Sequence, residues 1–223
     1  MNLTASSHPA IAESRRHGVI AVLRAPSAEL AINASEALIR GGIRAIEVTY
    51  TTPDTPVVIR RLIDRHGPGL LVGAGTVLSP RQAREAVDAG ARFLVSPGTI
   101  PAVAEAMIET GAAVMMGALT PTEVMMAVEL GADVVKLFPS SLGGPAYLRA
   151  LRGPFPDVPL MPTGGVTAEN MGDWFAAGAF AVGAGGDLTP SSAIAAENWA
   201  EIERIAGRFT AARARALAGD DAR

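Results

Sequence analysis

The sequence contains no cysteine, which excludes disulfides and thiolate chemistry outright. Histidine is scarce. His8, His17 and His66 are the only three, and none falls at the end of an expected strand, so Ser/His/Asp hydrolysis and histidine-held metal have no support. Metal catalysis through carboxylates alone would need partners beyond Glu47 and Asp187, so no metal is expected. There is no basic patch or Arg/Lys run, and the net charge is −3, which argues against a nucleic-acid partner. No run of about 18 apolar residues occurs, so no membrane span is expected. The first 16 residues lack the basic and apolar regions of a signal peptide, and a cytoplasmic protein is the expectation. There is no GxGxxG opening a helix and no Walker loop, hence no dinucleotide or nucleotide signature. Lysine is nearly missing as well: Lys136 is the only one among 19 basic residues. Codon drift toward arginine explains the general loss. It does not explain one survivor, which marks a site where arginine cannot serve.

What is present is an alternation. Short, nearly continuous apolar runs lie at Val19–Arg24, Ala45–Tyr50, Leu71–Thr76, Phe93–Gly98, Ala113–Leu119, Val134–Pro139, Pro159–Gly164 and Phe180–Gly185. Continuous apolar character is what parallel strands buried on both faces require. Helical patterns fall between them, at Glu29–Arg40, Pro53–Arg65, Pro80–Ala89, Pro101–Thr110, Pro121–Leu130, Pro145–Leu151, Ala168–Ala177 and Ala195–Ala216. Proline opens several, with Ser79, Thr120 or Thr167 placed to cap. Gly41, Gly67, Gly90, Gly111, Gly131 and Gly178 stand where helices should stop, and Gly153 fills the gap in the sixth unit. Eight βα units in 223 residues give a single-domain (β/α)₈ TIM barrel, with the barrel over about residues 19–216. The runner-up is an open doubly wound sheet. The polar residues before Val19 suit a short N-terminal helix capping the barrel floor, and the tail after Ala218 is expected to fray.

In such a barrel, chemistry sits at the C-terminal ends of the strands. The polar residues there are Arg24, Glu47, Thr49, Thr76, Ser96, Lys136, Thr163 and Asp187. Val134, Lys136 and Phe138 share one side of their strand, which points either into the barrel or toward the helices. Apolar surroundings favour the neutral amine, the form that attacks a ketone to give an imine. The competing reading pairs Lys136 with a buried carboxylate such as Glu47. Glu47 itself is either a general base and acid or the ion-pair partner of Lys136 or Arg24, and both roles can hold in different catalytic states. Thr163-Gly164-Gly165 after the seventh strand and Gly185-Gly186-Asp187 after the eighth could turn backbone N–H groups toward a phosphate, or simply make tight turns. Asp187 could also cap its own turn.

Taken in order, Ile20-Ala-Val-Leu-Arg24, Ile46-Glu-Val-Thr49, Gly73-Ala-Gly-Thr-Val77, Ser96-Pro-Gly98, Val135-Lys-Leu-Phe-Pro139, Gly153-Pro-Phe-Pro156 and Pro162-Thr-Gly-Gly-Val166 resemble the 2-keto-3-deoxy-6-phosphogluconate (KDPG) aldolase family. That family includes 2-keto-3-deoxy-6-phosphogalactonate and 4-hydroxy-2-oxoglutarate aldolases. The resemblance implies a cofactor-free class I aldolase, with a 2-keto acid and an aldehyde phosphate as its small-molecule partners and a homotrimeric assembly. It places the Schiff-base lysine at Lys136 and the proton-shuttling glutamate at Glu47. Thr76, Pro97 and Phe138 match the pyruvate end, and Arg24 matches an arginine near substrate. Thr163, Gly164 and Gly165 match the loop holding the distal end and its phosphate. Two departures stand out. Some members have arginine where this chain has Thr51, which shifts carboxylate binding toward Arg24 and backbone donors. Many have serine where this chain has Gly186, which removes a hydroxyl from the phosphate loop of Gly185 and Gly186. The readings outside the family are a phospho-sugar isomerase-type barrel and a non-catalytic keto-acid binder.

Overall fold

The eight apolar runs form eight parallel strands in the computed structural model, which describes residues 8–218. They are β1 (Val19–Leu23), β2 (Ala45–Thr49), β3 (Leu71–Gly75), β4 (Phe93–Val95), β5 (Ala113–Ala118), β6 (Val134–Leu137), β7 (Leu160–Pro162) and β8 (Val182–Ala184). Each strand neighbours the next in sequence, and β1 also pairs with β8. The seam between β7 and β8 is joined by Phe180 N–H donating to the Leu160 carbonyl at 2.8 Å and by a parallel bridge between Thr163 and Gly183. That seam makes a barrel. The open doubly wound alternative would require the strand order to reverse, and it does not.

The helices are α1 (Pro9–His17), α2 (Ala28–Arg40), α3 (Thr55–His66), α4 (Pro80–Asp88), α5 (Pro101–Glu109), α6 (Pro121–Glu129), α7 (Gly144–Arg152), α8 (Met171–Ala176), α9 (Ser191–Ala195) and α10 (Trp199–Ala218). Ser79 caps α4 by accepting from Gln82 N–H, and Thr120 with Glu123 forms a reciprocal capping box on α6. Three expectations need correction. The helix expected from Pro53 starts at Thr55, because Asp54 takes a left-handed φ of 53° and the Thr55 hydroxyl donates to the carbonyls of Thr49 and Thr52. Thr167 does not cap an α-helix: it accepts from Glu169 and Asn170 N–H within a turn, and α8 begins only at Met171. The helix expected from Ala195 starts at Trp199, because Glu197 takes a φ of 50° and separates it from the short, unexpected α9.

Side-chain alternation divides the core in two. Odd positions of β1, such as Val19, Ala21 and Leu23, pack outward against the helices with Leu38, Ile59 and Ile202. The other cluster fills the lower barrel: Ile20, Leu71, Phe93, Met115, Val134 and Met161, with Ala10 and Ile11 of α1 joining from below. The expected floor helix is therefore real, and it stoppers the barrel. Its Glu13 takes a two-point ion pair from Arg92 Nη1 and Nη2, at 2.8 and 2.5 Å. With the lower barrel packed solid, only the upper layer is left for polar groups.

Candidate active site

One layer above Val134, Lys136 points into the barrel, which decides the orientation left open by the strand periodicity. It is 3% exposed, and Glu47 on β2 is fully buried. Lys136 Nζ lies 3.5 Å from Glu47 Oε1 and 5.3 Å from the centre of the Phe138 ring. Neither carboxylate oxygen of Glu47 has a hydrogen-bond partner within the described protein, and neither does the buried Thr163 hydroxyl. Buried polar atoms cost free energy when unpaired, so three in the upper part of one barrel mark a place built to receive polar groups from elsewhere.

Glycines make this space. A Cβ on Gly75 would lie 1.8 Å from Glu47 Oε1, one on Gly117 would lie 2.1 Å from the Pro97 backbone, and one on Gly183 would lie 2.3 Å from Thr163 Oγ1. Gly117 is the direct strand partner of Lys136. Pro97 thus folds over the strand beside the lysine, while Glu47 and Thr163 lean into room that any other residue would fill. Gly75, Gly117 and Gly183 are not among the site residues expected from the sequence. The available signal was glycine inside otherwise apolar strands, which marks close approach.

At the rim, Arg24 and Thr51 are both exposed and joined. Arg24 Nη1 donates to Thr51 Oγ1 at 3.2 Å, the two threonine hydroxyls of 51 and 49 lie 2.7 Å apart, and Thr49 Oγ1 donates to the Leu23 carbonyl at 2.9 Å. Since the Thr49 proton goes to Leu23, Thr51 must donate to Thr49 and accept from Arg24. The chain has one direction and anchors the guanidinium at the mouth. Thr76 follows β3 with a φ of 53°, a conformation costly for a β-branched residue.

Gly164 and Gly165 turn the β7 loop with φ of 91° and 78°. Ser140 Oγ donates to the Gly164 carbonyl at 2.7 Å and Asn170 Nδ2 to the Gly165 carbonyl at 2.8 Å, which fixes that loop. Gly185 and Gly186 line a cavity of about 330 Å³ together with Arg24, Thr189, Ser191 and Ser192. The last three were not anticipated. They bring hydroxyls to a loop where Gly186 has none. Asp187 stands apart: it lines an outer crevice with Glu169, Arg204 and Arg208, away from the barrel mouth. Among the described residues no three His, Asp or Glu side chains gather as a metal cluster, and no helix is long and apolar enough to cross a membrane.

Comparison with known proteins agrees with this architecture. Residues 11–205 match the family described as KDPG and KHG aldolase. The chain is 37% identical over 172 residues to the 2-dehydro-3-deoxy-phosphogluconate aldolase of Pseudomonas aeruginosa, across 77% of this chain and 78% of that one. It is 36% identical over 171 residues to the 2-dehydro-3-deoxy-6-phosphogalactonate aldolase of Escherichia coli, across 76% of this chain and 83% of that one. Among solved structures, the KDPG aldolase of Legionella pneumophila, with pyruvate captured as a covalent carbinolamine, superposes with a TM-score of 0.81. It has 33% identity and covers 92% of this chain and 98% of that one.

Proposed function

This chain belongs to the KDPG and KHG aldolase family, and from that membership we propose that it reversibly cleaves 2-keto-3-deoxy-6-phosphogluconate to pyruvate and glyceraldehyde 3-phosphate through an imine on Lys136. The observation that carries the proposal is the isolated pair: the only lysine in the chain, buried, 3.5 Å from a glutamate that has no other partner among the described residues.

Nζ and Oε1 lie 3.5 Å apart, a gap that one water bridges so that a proton passes to the carboxylate, leaving a free amine. That amine adds to the C2 ketone. Glu47 relays the nitrogen proton to the former carbonyl oxygen and then protonates it again, so that it departs as water. The product is a protonated imine facing a restored carboxylate. Glu47 next takes the proton of the C4 hydroxyl, the C3–C4 bond breaks, and its electron pair flows into the imine nitrogen. Aldehyde leaves, and a neutral enamine remains in place of a carbanion. Glu47 returns its proton to C3, and water releases pyruvate. Room for these shifts comes from Gly75, which lets the carboxylate lie flat against β3.

The other proposed roles follow the walls of the site. Arg24, held by Thr51, faces the substrate carboxylate. Thr76, Pro97 and Phe138 enclose the three-carbon end, and Thr163 meets a substrate oxygen. Gly164, Gly165, Gly185 and Gly186 take the distal phosphate, with Ser191 and Ser192 supplying the hydroxyls that Gly186 lacks. No cofactor enters the scheme.

Borohydride added with pyruvate should fix one reduced pyruvyl group per chain on the peptide holding Lys136. Lys136→Arg should fold, form no adduct and lose roughly 10⁴-fold or more in kcat. Normal turnover in that variant would end the proposal. A panel of phosphorylated and unphosphorylated keto-deoxy acids, including the phosphogalactonate and 4-hydroxy-2-oxoglutarate, would rank the substrates.

A further inference from the structure

At the opposite end of the barrel from Lys136, three segments distant in sequence bring their arginines together. Arg16 and His17 close α1, Arg44 lies just before β2, and Arg213 lies on α10. They line one cavity of about 140 Å³, with Thr210 and Gly42 on its wall and no acidic side chain among its lining residues. Three guanidiniums around one hollow repel each other, which is unusual in a chain whose net charge is −3. Their local contacts do not neutralise them. Arg44 Nη1 donates only to the carbonyls of Ile39 and Ile43, at 2.7 and 2.9 Å. Arg213 Nη2 donates to the Arg16 carbonyl, while its buried Nε has no partner within the described protein. Arg16 has no ion pair with any described residue. Glu13 feels the charge of Arg16 and His17, but its two oxygens are bonded to Arg92.

We propose that this hollow is a binding site for a phosphate-type oxyanion, distinct from the substrate site and closed around Arg16, Arg44, Arg213 and His17. Chemistry and size select that ligand. Guanidinium forks match tetrahedral oxyanions, donating two bonds at a time. A hollow of about 140 Å³ admits a phosphate group, and any carrier would extend into solvent. The bound anion would tie α1, the entry to β2 and α10 to one another, clamping the floor of the barrel to its last helix.

His17 supplies the reporter. Its imidazole is held below its ordinary range, first by burial; Glu13 opposes this, and Arg16, Arg213 and Arg44 add to the lowering. An anion among those arginines reverses their effect and stabilises the protonated ring. The His17 resonances of the full chain, assigned with His17→Gln, would be titrated by NMR in phosphate and in chloride at equal ionic strength. The expected result is an upward shift of the His17 midpoint by about one unit in phosphate. Arg16→Gln combined with Arg44→Gln replaces two exposed side chains and should abolish the shift while leaving cleavage within about twofold. A glycerol 3-phosphate arm separates a free ion from the head of a phosphorylated metabolite. An equal midpoint in both salts, or a shift that survives in the double variant, would overturn the proposal. So would a midpoint that ignores phosphate but moves on Asp220→Asn with Asp221→Asn, which would give the site to the chain's own carboxylates.

Discussion

A methyl group at position 75 would lie 1.8 Å from Oε1 of Glu47. Gly75→Ala should therefore push the carboxylate off Lys136. We expect kcat to fall about 100-fold or more, the scale of a lost general acid–base group. Overpacking should cost about 1–3 kcal/mol of stability. Steady-state rates and a denaturant titration would check both figures. Thr51 tests a different wall. Thr51→Val removes the acceptor that steadies Arg24, so KM for the keto acid should rise about tenfold, as loss of a hydrogen bond to a charged group implies. Turnover should stay near normal, and Thr51→Ser should restore KM. Lys136 and Glu47 were both legible in the sequence, one by its solitude and one by its charge inside an apolar strand. The glycines that seat them were not, because a strand glycine says that something comes close without saying what.

Among the elements, α1 offers the clearest test. The guanidinium of Arg92, bonded to Glu13, holds that carboxyl below its ordinary 4.5. A lowered carboxyl contributes stability above its unfolded value and loses it as pH falls through the folded one. Thermal melts should show wild type exceeding Glu13→Gln by about 0.5–1 kcal/mol at pH 6, since the pair is part-exposed. That advantage should vanish steadily below pH 4.5. Strand positions and most helix stops were readable from apolar runs and glycines. The errors fell where side chains bond to nearby backbone. Thr52 and Thr55 delay α3, Thr167 and Asn170 delay α8, and Asn198, accepting from Glu201 N–H at 3.2 Å, restarts the chain as α10. Such local bonding competes with helix without altering the apolar period.

The whole barrel separates holding together from reacting. Its lower layer is closed by Ile11 from α1, and its upper layer carries the polar pair. Ile11→Ala should cost about 2–4 kcal/mol with kcat unchanged, read by denaturant titration beside an activity assay. Sedimentation of the full chain should give a trimer if assembly follows the family resemblance. Closure of the sheet was beyond the sequence, since alternation alone serves an open sheet equally well, and so was the arginine hollow, which exists only once residues 16, 44 and 213 are folded together. One consequence reaches outside enzymology. The sole ε-amine of this sequence is 3% exposed, so acylating esters, aldehydic fixatives and lysine-directed conjugating enzymes find no lysine to grasp on its outer coat. A protein so nearly bare of lysine keeps its one ε-nitrogen for guests small enough to enter the barrel.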